Sequence, residues 1–125
     1  MVRPPLRPIL FSLLVPLGAG PALSQEAAEE GLYLQEVLRE EEPPILRYRY
    51  VMPGLDKLDT QQALDEIARI CTEDVAPFLK GADREAQIVI SLSEAQTPFG
   101  EHAPAIRQHF DAFRLENDRC IWEMF

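Results

Sequence analysis

The sequence predicts an α+β fold: a mainly antiparallel sheet of about five strands, with one principal helix packed on one face. Three observations carry that expectation. Leu46, Tyr48, Tyr50 and Met52 alternate with Arg47, Arg49 and Val51, the period of a half-buried strand. Leu64, Ile67, Ala68, Cys71 and Val75 recur on one helical stripe. Asn117-Asp118 separates two short alternating runs and reads as a hairpin turn.

Length and charge bound the rest. The chain has 125 residues, 46% hydrophobic and 26% charged, which suits one folded domain. Twelve Lys+Arg stand against 21 Asp+Glu, a formal net charge of −9. That balance disfavours nucleic acid and anionic lipid, both of which need clustered basic residues.

The chain opens on a three-part secretory pattern. Arg3 and Arg7 are a short positive region, residues 9–17 are an uncharged apolar run, and Ala22 and Ser24 are small residues at the recognition positions of a signal peptidase. The apolar run is about half the length of a membrane span. Residues 1–24 are therefore expected as a signal peptide cleaved after Ser24, residues 25–30 as a flexible mature N-terminus, and residues 31–125 as the α+β domain. Removing 24 of the 125 residues leaves 101, and loss of the two arginines takes the net charge to −11. The expected location is the periplasm, with no transmembrane segment in the mature chain.

Cys71 and Cys120 both survive cleavage. An even pair in a small exported domain is expected as a disulfide. Two thiolates do not complete a zinc shell, and the 49-residue separation excludes a C-x-x-C redox motif.

The elements follow in order. Leu32, Leu34 and Leu38 suggest a first strand after Gly31. Residues 40–44, Glu-Glu-Glu-Pro-Pro, read as a turn or exposed loop. The Leu46–Met52 strand follows, with Arg47, Arg49 and Val51 on the wet side, and Pro53-Gly54 ends it. Asp59 is an N-cap with Gln62 at the capping-box position. Asp65 and Arg69 form an i,i+4 pair. Pro77 should kink or restart the helix, Phe78 and Leu79 should face the core, and Gly81 fits a C-cap. Gln87–Leu92 is apolar enough for a central strand. Thr97-Pro98-Phe99-Gly100 is a loop, and residues 104–112 fit either a helix or a strand. A two-residue turn at Asn117-Asp118 forces a register: Glu116 faces Arg119, Leu115 faces Cys120, Arg114 faces Ile121, and Phe113 faces Trp122. Leu115, Cys120, Phe113 and Trp122 then share the core side, where Cys71 reaches Cys120 from the helix.

Chemistry-bearing motifs are mostly missing. The sequence holds no G-x-G-x-x-G, P-loop, H-E-x-x-H, G-x-S-x-G or calcium loop. His102 and His109 read as surface histidines, and no metal or cofactor is expected. Ser91 and Ser93 have no evident base, and no catalytic residue is assigned. Arg47, Arg49 and Arg114 are the one candidate site, an anion-binding face. Its bland counterpart is ordinary cross-strand ion pairing with Glu36 or Glu116.

Arg47-Tyr-Arg-Tyr-Val-Met-Pro53, Val89-Ile-Ser-Leu92, Thr97-Pro-Phe-Gly-Glu101, Phe110-Asp-Ala-Phe-Arg-Leu-Glu116 and Cys120-Ile-Trp-Glu123 resemble an uncharacterised family of short exported proteins of Gram-negative bacteria, a domain of unknown function. The ending is its most specific part. The resemblance implies a periplasmic location and adds no active residues. Some relatives carry the name acetolactate synthase, an activity this chain does not match. Such enzymes are several times longer and hold thiamine diphosphate on a Gly-Asp-Gly motif that is missing here. The expected function is a non-catalytic periplasmic binding or interaction module. Its partner would be a periplasmic protein or a small anionic ligand. The alternative is a small ligand-binding protein or hydrolase using the arginine face with a histidine.

Overall fold

The computed structural model describes residues 31–101 and 103–124. The expected signal peptide, the residues 25–30 after it, and His102 lie outside the described residues. Five strands form one sheet in sequence order: β1 (Tyr33–Glu41), β2 (Pro44–Val51), β3 (Gln87–Ser93), β4 (Gln108–Glu116) and β5 (Arg119–Trp122). One main helix, α1 (Thr60–Ile70), lies between β2 and β3 in the chain.

The sheet is mixed. Three of its pairings are antiparallel, and β2–β3 is parallel. The crossover explains the difference from a purely antiparallel arrangement. A strand that leaves through a helix and returns to its neighbour's edge comes back in the same direction.

α1 starts where the capping residues place it. The Asp59 carboxylate accepts from the Gln62 amide at 2.8 Å, and the Gln62 side chain accepts from the Asp59 amide at 2.9 Å. The helix runs on into a π-helical turn, Cys71–Val75, and a 3-10 turn containing Pro77, Ala76–Phe78. Its buried side differs from the expected stripe in detail. Ala63, Ile67, Ile70, Cys71 and Val75 are buried, whereas Ala68 is exposed. Leu79 is buried but Phe78 points to solvent, because the chain turns extended after the 3-10 turn. Gly81 takes a positive φ of 60° at the start of a later 3-10 turn, Gly81–Glu85, rather than capping α1. Arg69 pairs with Glu66 at 2.6 Å and Glu73 at 3.1 Å, not with Asp65, whose carboxylate accepts from Gln61.

The core lies between α1 and one face of the sheet. Leu46, Tyr50, Ile88, Ile90, Leu92 and Phe113 meet Leu55, Ala63, Ile67, Ile70 and Val75. Each fully buried aliphatic side chain contributes about 1.5–3 kcal/mol of transfer free energy. Burial pushes the Tyr50 hydroxyl up to about 12, with Asp74 adding to the shift.

The C-terminal hairpin has the predicted register at all four pairs. Asn117 and Asp118 take φ of 52° and 67°, as a type I′ turn needs. Cys71 and Cys120 are disulfide-bonded, with Cα atoms 6.3 Å apart. Trp122 departs from expectation. β5 is an edge strand, and the indole is exposed, with its N–H donating to Asp111 at 2.6 Å. Residues 108–112 are strand, which settles the helix-or-strand ambiguity for that part of 104–112. Among the described residues, no helix is long and apolar enough to cross a membrane.

Candidate functional site

The sheet face opposite α1 carries the arginines. Directly paired residues share a face, so the register reads as rows across it. One row is Glu36, Arg49, Ser91 and Phe110; the next is Leu38, Arg47, Val89 and Ala112. This face is not simply wet. The chain after β3 folds back over it at Thr97, and Val51, Val89 and Ala112 on this face are buried. Val51 therefore belongs to a covered surface, contrary to the expectation of an exposed side.

Arg49 joins floor to roof. Its Nη1 donates to Glu36, and its Nη2 donates to the Thr97 carbonyl at 2.8 Å and the Thr97 hydroxyl at 3.1 Å. The Gln35 side chain donates to the same carbonyl at 3.1 Å. Phe99, two residues further along the loop, sits against both guanidiniums, each 5.5 Å from the ring centroid. That is cation–π range. Arg47 donates from Nε to Glu40 at 2.7 Å. Between floor and roof lies a cavity of about 280 Å³, lined among others by Arg47, Arg49, Ser91, Phe99, Glu101 and Phe110.

Arg47 and Arg49 are thus brought together, and Arg114 is not. Arg114 lies toward the other end of β4, donating to Glu123 at 2.7 Å and to the Glu85 carbonyl at 3.1 Å. The hydrogen bonds from Arg114 and then Gln87 hold the Glu123 carboxyl below its ordinary range. His109 is opposite Leu92, on the helix side of the sheet, with Nε2 buried and without a hydrogen-bond partner. It does not line the cavity. The Ser93 hydroxyl donates to the Ala95 carbonyl at 2.7 Å. Ser91 lines the cavity, whose lining holds no histidine and one carboxylate, Glu101, among the described residues. No group of three or more metal-ligating side chains gathers among the described residues.

Sequence reasoning identified two floor residues and missed the roof. Thr97, Phe99 and Glu101 follow the central strand in a turn-rich loop, and that position was the available signal: loops at strand ends carry sites.

No curated protein and no solved structure matches the chain. A family model, described as a family of unknown function (DUF6497), matches residues 18–125, and the chain belongs to that family.

Proposed function

We propose that this protein is an exported, non-catalytic binding module of the periplasm, and that it takes a small ligand into the roofed cavity on its open sheet face. The supporting observation is the cavity itself. Two arginines on adjacent rows of β2 share one aromatic roof residue, Phe99, over a floor that includes Ser91 and Phe110. Convergent polar groups with an apolar wall are the ordinary make-up of a ligand site. The disulfide fits an oxidising compartment. A binding reading is favoured over a hydrolase because His109 and Arg114 both lie outside the cavity that holds Ser91.

A fragment screen by amide-detected nuclear magnetic resonance tests the site. Hits should move the amide signals of Arg49, Ser91 and Gly100 together. A diverse library that leaves all three unmoved refutes the reading. Export is tested separately by the intact mass of protein recovered from periplasm. A chain still carrying residues 1–24 refutes cleavage.

A further inference from the structure

We propose that the cavity takes a small zwitterion: a free amino acid, or a molecule of that chemistry, with a carboxylate, an ammonium group and one apolar body. This rests on the cavity being the binding surface.

Two charged groups in the lining have edges without partners. Arg47 donates from Nε to Glu40 and sets its guanidinium against Phe99. Its terminal nitrogens, Nη1 and Nη2, donate to no acceptor among the described residues. Those two nitrogens form a planar fork that matches a carboxylate. Arg49 offers no such fork, since Nη1 holds Glu36 and Nη2 holds Thr97. Glu101 lines the same cavity from the roof loop. Its amide donates to the Pro98 carbonyl, but its carboxylate has no side-chain partner among the described residues.

Charge then discriminates between ligand types. Arg47 and Arg49 are ion-paired with Glu40 and Glu36, and Glu101 adds a third carboxylate to the lining, so the lining and its immediate partners sum to −1. A simple anion meets the Arg47 fork but also the Glu101 charge. A simple cation meets Glu101 and leaves the fork unpaired. A zwitterion matches both at once, and neither protein charge is then left desolvated without a partner. The cavity volume of about 280 Å³ lies just below the usual range for drug-sized ligands, roughly 300–1,000 Å³. That size favours a single amino acid over a longer peptide. Val89, Pro98, Phe99 and Phe110 supply the apolar wall for its side chain.

The test is a titration of the disulfide-bonded exported protein with four probes: phenylalanine, phenylpropionate, phenylethylamine and benzyl alcohol. Phenylalanine should bind about 10-fold tighter than either singly charged analogue, the worth of one charge-assisted hydrogen bond. E101Q, on an exposed loop, should weaken phenylalanine and phenylethylamine while sparing phenylpropionate. R47K, which keeps the charge and the stem, should weaken phenylalanine and phenylpropionate while sparing phenylethylamine. Phenylpropionate binding as tightly as phenylalanine, or E101Q leaving phenylalanine unaffected, overturns the proposal. Benzyl alcohol binding in the cavity while phenylalanine does not would overturn the zwitterion and leave the binding surface standing. No response to any probe overturns the zwitterion, and the fragment screen then decides whether the binding surface stands.

Discussion

Removing the staple between β5 and the π-helical turn that continues α1 should cost this domain much of its stability. The perturbation is the double substitution C71A/C120A, which deletes the bond without leaving a lone thiol. The disulfide closes a loop of 49 residues. In the chain-entropy treatment, a loop of that length restricts the unfolded ensemble by about 4 kcal/mol. Truncating fully buried Cys71 adds a smaller packing loss, since alanine lacks only the sulfur. A domain of this size has about 5–15 kcal/mol in total, so the loss is a large share. The assay is urea unfolding, followed by circular dichroism and by fluorescence of Trp122, two residues from Cys120. The midpoint should fall, the slope should rise somewhat because the unfolded chain without the bond is less compact, and the extrapolated stability should drop by about 4 kcal/mol. A drop under about 1 kcal/mol would refute the reasoning. The reduced unfolded chain would then already be compact, and the bond would have little freedom to remove.

Two further outcomes follow from single positions. Gly31 has a φ of +77°, and a Cβ there would lie 2.6 Å from the Pro53 ring, so Gly31→Ala should destabilise the fold by roughly 1–3 kcal/mol; equal thermal midpoints for the two proteins would contradict this. The Tyr50 hydroxyl is raised from 10.0 to about 12, so the folded state favours its neutral form. The resulting stabilisation is complete below pH 10 and is lost as pH rises toward about 12. Ultraviolet difference absorbance should show Tyr50 ionising late and together with unfolding, and full ionisation near pH 10 in an intact fold would contradict it.

Where local geometry left one solution, the sequence was readable. Asn117-Asp118 needed positive φ at both positions, and a single slip of register would have turned Leu115 and Cys120 to the wrong face. Asp59 and Gln62 specified the start of α1 through two reciprocal hydrogen bonds. The Cys71–Cys120 pairing followed from there being only two cysteines. Placement that depends on what covers a surface was less legible. Alternation put Val51 and Arg49 on one face correctly, but nothing in β2 itself tells that the Thr97 loop returns over that face. The same period put Trp122 beside Phe113 without revealing that β5 lies at the sheet's edge. Arg47, Arg49 and Arg114 do occupy one side of the sheet, yet the last is drawn toward Glu123 and Glu85. The parallel β2–β3 pairing was within reach, because a helix between two adjacent strands favours it.

The path of the chain also determines how the molecule responds to being cut. β2 and β3 together supply the cavity floor, and the connection between them passes the exposed Lys80-Gly81 bond. Cleavage there leaves Arg47 and Arg49 on one polypeptide and Val89 and Ser91 on the other. Cys71 stays with the first piece and Cys120 with the second, so their bond still joins the two. A trypsin-like nick at this position therefore yields a two-chain molecule that cannot dissociate, with both halves of the floor tethered to one another.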